Sequence, residues 1–152
     1  IRQRRKDLMS KHIAEHGIEK KPGVDELLDY LHQKGIKTAV ATATDEVRAK
    51  DYLTQIGIYE KFDRIICATM VAHGKPEPDI YRYACEQIGE KPEDCIAVED
   101  SPNGVCSAST AGLRTIMVPD LTGPDEETAQ RLFTTVHSLD EIIRLFEEKQ
   151  IF

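Results

Sequence analysis

The chain has 152 residues, with 20 Lys and Arg against 27 Asp and Glu, a formal net charge of -7 and 40% hydrophobic residues. That length suits one domain with a real core. The acidic balance excludes nucleic acid as the main partner, and the locally basic start at Arg2, Arg4, Arg5, Lys6 and Lys11 is read as a solvated helix face.

No apolar run approaches the ~18 residues of a membrane span, and no signal peptide is visible. No membrane partner is therefore expected, and the protein is read as soluble and cytoplasmic. Its four cysteines, Cys67, Cys85, Cys95 and Cys106, show no CxxC spacing, and three lie in or beside apolar runs. Reduced core thiols are expected rather than disulfides or zinc ligands.

In chain order, residues 2 to 16 place Leu8, Met9, His12 and Ile13 near one helical face, and Gly17 can stop that helix. After Pro22-Gly23 the spacing of Val24, Leu27, Leu28 and Leu31 predicts a second amphipathic helix ending before Gly35. Ile36 to Ala41 is β-prone and runs into the polar turn Thr42-Ala43-Thr44-Asp45.

A helix over 45 to 56, a strand over 62 to 67, a helix over 77 to 88, a strand over 95 to 99, a helix over 103 to 111 and a strand over 114 to 118 follow. Such alternation predicts an α/β, Rossmann-like parallel sheet with helices on both faces. Asp120 to Glu127 reads as a solvated acidic loop, Phe133 to Val136 as a short strand-like piece, and Ser138 as the N-cap of a last helix.

Chemistry gathers at the strand ends, which in such sheets face the ligand crevice. The hydroxyl of Thr42 and the amides after it, from Ala43 onward, suit a phosphate oxygen, although the same residues also suit a simple helix cap. Lys75, held between Gly74 and Pro76, is either a displayed cation or an exposed turn lysine. Glu99 and Asp100 close an apolar strand. An N-cap needs one acid, and two would repel unless a cation compensates, so a hard cation is expected there.

Together, Lys21-Pro22-Gly23-Val24, Thr42-Ala43-Thr44, Gly74-Lys75-Pro76-Glu77-Pro78-Asp79-Ile80-Tyr81 and Val98-Glu99-Asp100-Ser101-Pro102-Asn103-Gly104, leading to Ala111-Gly112, resemble the haloacid dehalogenase superfamily. Within it the match is to the β-phosphoglucomutase-like phosphatases, over roughly residues 10 to 150. The resemblance implies that Thr42 is a phosphate ligand, Lys75 the catalytic lysine, and Glu99 and Asp100 the Mg²⁺ carboxylates. Thr42, Ala43 and Lys75 are the implied substrate-binding set, and Pro78, Asp79 and Tyr81 shape the lysine loop.

Enzymes of this family begin with a strand ending in Asp-x-Asp, whose first aspartate attacks phosphorus and whose second is the acid/base. No Asp-x-Asp occurs in this sequence. The resemblance therefore implies a core lacking its first strand and most of its helical cap, with residues 1 to 17 as the cap's last helix and 18 to 152 as the incomplete core.

On that reading the chain is the C-terminal part of a longer enzyme, inactive alone, with two unpaired interior sheet edges open to association. The function implied is a Mg²⁺-dependent phosphatase of small phosphorylated metabolites of the sugar-phosphate type, working through an aspartyl phosphate. A phosphomutase, or a non-catalytic phosphate- or metal-binding or structural fragment, are the alternatives.

Overall fold

Short β-prone runs alternate with amphipathic helices, and each run becomes a strand of one parallel sheet. The computed structural model describes residues 6–9, 23–119 and 123–148, the first of these by backbone alone. The elements are β1 (Lys6–Met9), α1 (Val24–Gln33), β2 (Lys37–Thr42), α2 (Glu46–Gln55), β3 (Arg64–Cys67) and α3 (Asp79–Ile88), then β4 (Cys95–Glu99), α4 (Pro102–Ala111), β5 (Arg114–Met117), α5 (Glu126–Gln130), β6 (Thr134–Thr135) and α6 (Glu141–Glu147). The strand order is β3-β2-β1-β4-β5-β6, with every described pairing parallel.

The central position corrects two expectations. Lys6–Met9 lies inside the segment expected to be helical, yet it is a strand, with Lys6 opposite Lys37 and Cys95 and Met9 opposite Val40 and Val98. Helix preference is worth at most about 0.7 kcal/mol per ordinary residue, whereas an open slot between β2 and β4 offers two rows of unpaired backbone groups. Filling the slot satisfies both rows. The interior edges through which association was expected are thus paired, and the rest of the 1–22 segment lies outside the described residues.

Period-two alternation sorts the strand side chains onto two faces. Val40, Ile96, Val98 and Ile116 pack with Leu27, Leu28 and Leu31 of α1, Leu53 of α2 and Ile142 of α6. Ala39, Ala41 and Ala97 face the other way, against Ile80, Tyr81 and Ala84 of α3 and Ala108 of α4. Small side chains on that face let α3 and α4 lie close to the strands, which brings Tyr81 to the end of β4.

Two local expectations also change. Helix α6 starts at Glu141 with Asp140 at its cap position, not Ser138. The Glu141 carboxylate instead reaches back to accept from the amides of His137 and Ser138, at 2.9 and 3.0 Å. The acidic run ends in α5, where Asp125 caps the helix by accepting from the Thr128 amide at 2.7 Å. Those backbone and side-chain hydrogen bonds to Thr128 hold the Asp125 carboxyl below its ordinary value.

Cys67, Cys85 and Cys95 are buried free thiols, and Cys106 is partly exposed. Burial, with the charges of Glu46 and Asp45, pushes the Cys67 thiol up, and the Cys85 contact at 3.7 Å and burial push Cys95 up strongly. Because the thiolate is the reactive form, Ellman's reagent is expected to modify Cys106 rapidly in the native protein and the other three only on unfolding. Loss of the fast phase in Cys106→Ser checks the assignment. No helix among the described residues is long and apolar enough to cross a membrane.

Candidate active site

Strand β2 delivers Thr42 to the carboxyl end of the sheet, 1% exposed. Its Oγ1 accepts from the Thr44 amide at 3.1 Å, which curls the chain toward α2. The cap of α2 is Asp45, which accepts from the Arg48 amide at 2.9 Å. Thr42 is therefore not the cap. The turn leaves Ala43 exposed beside the amino end of α2, where amide groups and the helix dipole favour an anion.

Lys75 precedes α3 on a loop and follows none of the behaviour of a solvated turn lysine. Its side chain is 11% exposed. The ammonium donates to the Ala41 carbonyl at 3.1 Å and to Glu99 Oε2 at 2.6 Å. Ala41 belongs to β2 and Glu99 to β4, so the lysine bridges two strands that flank β1 rather than each other. The loop is fastened from α4, where Ser107 Oγ donates to the Glu77 carbonyl at 2.6 Å. His73 is exposed and sits 3.3 Å from Asp79, the first residue of α3.

Glu99 and Asp100 stand in different settings. Glu99 is 2% exposed and its Oε2 accepts from both Lys75 and the Tyr81 hydroxyl. Asp100 is partly exposed at the rim. Neither caps α4, because Ser101 does so by accepting from the Gly104 amide at 3.2 Å. The Glu99 carboxylate lies flat against Gly104, where an added Cβ would come within 1.8 Å of Oε1.

Among the described residues no group of three or more His, Cys, Asp and Glu side chains is placed to hold a metal ion. The cation beside Glu99 is the Lys75 ammonium, and Asp100 at the rim is the carboxylate of the kind Mg²⁺ uses, an ion that takes one or two from the protein and fills its other positions with water and phosphate oxygens. Buried or partly buried oxygen donors are the right chemistry for it.

One participant escaped the sequence reading, and another does more than it implied. The Ala41 carbonyl carries no side-chain signal at all. Tyr81, implied by the resemblance to shape the lysine loop, lies in the Ile80, Tyr81, Ala84, Cys85, Ile88 stripe of α3, and the hydrogen bond of its buried phenol to Glu99 lies beyond that expectation.

An all-parallel sheet covered on both faces, with its polar groups at the carboxyl ends of the inner strands, defines a doubly wound α/β protein with a ligand site at that end. The family model for haloacid dehalogenase-like hydrolases matches residues 3–112, and the chain belongs to that family.

It is 31% identical over 137 residues to the phosphorylated carbohydrates phosphatase of Thermotoga maritima, covering 90% of this chain and 56% of that protein. The crystal structure of CbbY from Rhodobacter sphaeroides in complex with phosphate is 37% identical with a TM-score of 0.73, covering 80% of this chain and 55% of that one. A β-phosphoglucomutase from Clostridium difficile is 25% identical with a TM-score of 0.73, covering 85% and 55%. The chain spans about half the length of the curated relatives it matches.

Proposed function

We propose that these residues form the phosphate end of a Mg²⁺-dependent phosphatase acting on small phosphorylated metabolites of the sugar-phosphate type. The observation that supports this best is Lys75, a nearly buried ammonium suspended between the ends of β2 and β4. Thr42 and the Ala43 amide would orient a phosphate oxygen, and Lys75 would offset its charge. Asp100, with Glu99 beside it, would hold Mg²⁺, which when bound polarises phosphate oxygens.

Lys6–Met9 fills the central place of the sheet here, so the family's Asp-x-Asp strand would have to take that place in its stead; the phosphoryl group would then pass to its first aspartate and on to water. The relative named for phosphorylated carbohydrates supports the substrate class. The test is phosphate release from sugar phosphates by a fusion of this chain to an Asp-x-Asp strand of a related phosphatase. Turnover that needs Mg²⁺ and falls by about 10²–10³ in Lys75→Ala is expected, the usual size for removing one preorganised donor. The 152-residue chain should show none, and Lys75-dependent hydrolysis by it would overturn that part of the reading.

A phosphomutase is the second reading, favoured by the likeness to β-phosphoglucomutase. Product analysis with a hexose 1-phosphate separates the two. The missing Asp-x-Asp favours a non-catalytic binding module. Calorimetry with Mg²⁺ and phosphate, on the chain and on Asp100→Asn, tests it.

A further inference from the structure

We infer that Tyr81 is a positioning residue for Lys75, acting through Glu99. The inference rests on Lys75 being the phosphate-facing cation. Tyr81 is 0% exposed, and its hydroxyl donates to Glu99 Oε2, the same oxygen that accepts from Lys75. The lysine ammonium also lies 5.4 Å from the centroid of the Tyr81 ring, within cation–π range. One side chain thus touches both members of the ion pair, the acid through its polar tip and the base through its ring face.

The carboxylate keeps one freedom without this contact. Gly104 forms the floor beneath it, since a Cβ there would come within 2.1 Å of Cδ and 2.6 Å of Oε2. Such a carboxylate can still rotate about its last torsion, which is broad for a terminal sp² group. A quarter turn would take both oxygens out of line with Lys75. The hydroxyl of Tyr81 supplies a second donor on Oε2 and fixes that torsion, so the ammonium stays between Ala41 and Glu99. Hydrogen bonds to a charged acceptor are stronger than neutral ones, which suits Tyr81 to the task.

Any aromatic ring would fill the packing position of Tyr81 against α3 and the sheet. Only a hydroxyl performs the positioning, so Tyr81→Phe isolates it. The readout is lysine acylation of the 152-residue chain by acetic anhydride, mapped by mass spectrometry, with Lys34, Lys50 and Lys91 as internal references.

Lys75 should react slowly in the natural chain and about tenfold faster in Tyr81→Phe, with the reference lysines unchanged. Glu99→Gln, which keeps the volume but removes the charge, should raise the Lys75 rate at least as much. A Lys75 rate in Tyr81→Phe that stays at the natural value overturns the proposal, and so does a rise shared by all four lysines, which would report general loosening. Protection of Lys75 by inorganic phosphate with Mg²⁺ tests the phosphate-facing reading separately. Its absence would count against that reading while leaving the Tyr81 effect measurable.

Discussion

Gly104→Ala is expected to destabilise the chain by about 2–3 kcal/mol, even though alanine is worth ~1 kcal/mol more than glycine inside a helix. The position lies in α4, where propensity alone predicts a gain. The close approach reverses the sign. A new methyl would meet Glu99 at 1.8 Å from Oε1, a distance that forces movement. The group that must move is the buried carboxylate pinned by Lys75 and Tyr81, so the substitution disrupts a charge pair as well as a contact. Urea unfolding should show the midpoint lowered by ~1 M or more, for a slope near 2 kcal/mol/M. A midpoint raised by the propensity gain would show that the carboxylate relaxes freely.

Lys75→Met should cost about 3 kcal/mol or more, because it strands Glu99 as a charge only 2% exposed. Adding Glu99→Leu should return part of that stability, since a buried ion pair replaced by apolar groups of similar volume is often neutral or better, less about 1–3 kcal/mol for the buried Tyr81 hydroxyl that loses its Glu99 acceptor. The two costs are therefore expected to be strongly non-additive, with a coupling in the upper part of the 0.5–3 kcal/mol seen for residues in contact. Additive losses in the urea midpoints would mean that the pair contributes independently through its neighbours.

How far the sequence reveals the fold differs from element to element. Val24, Leu27, Leu28 and Leu31 mark α1 because a helix spaces its buried face at three and four residues, and all four are at most 2% exposed. β2 and β4 show as apolar runs because both their faces are covered. Lys6–Met9 has no such pattern, and its strand conformation comes from the slot it fills, a property of β2 and β4 rather than of its own residues. Helix α5 hides behind Pro124 and Asp125, which read as turn residues until Asp125 is seen to cap it.

The site divides in the same way. Thr42, Lys75, Glu99 and Asp100 are legible as candidates because each closes a strand, follows one or stands in a loop at the end where ligands gather. Tyr81 and Gly104 act across elements, one from α3 and one from α4 onto Glu99 of β4, and although both stand in quoted motifs, no residue pattern there states which carboxylate they meet.

The bridge made by Lys75 has a further consequence for how the molecule opens. Its acceptors are supplied by strands that meet only through a third, so the lysine can be seated only while all three lie side by side. A fluctuation that peels away the middle strand would separate the two acceptors and leave Glu99 without its counter-charge. Slow amide exchange at Ala41 and Val98 should then be lost in a single step with the lysine's protection, making this end of the sheet one cooperative opening unit instead of a set of independently fraying loops.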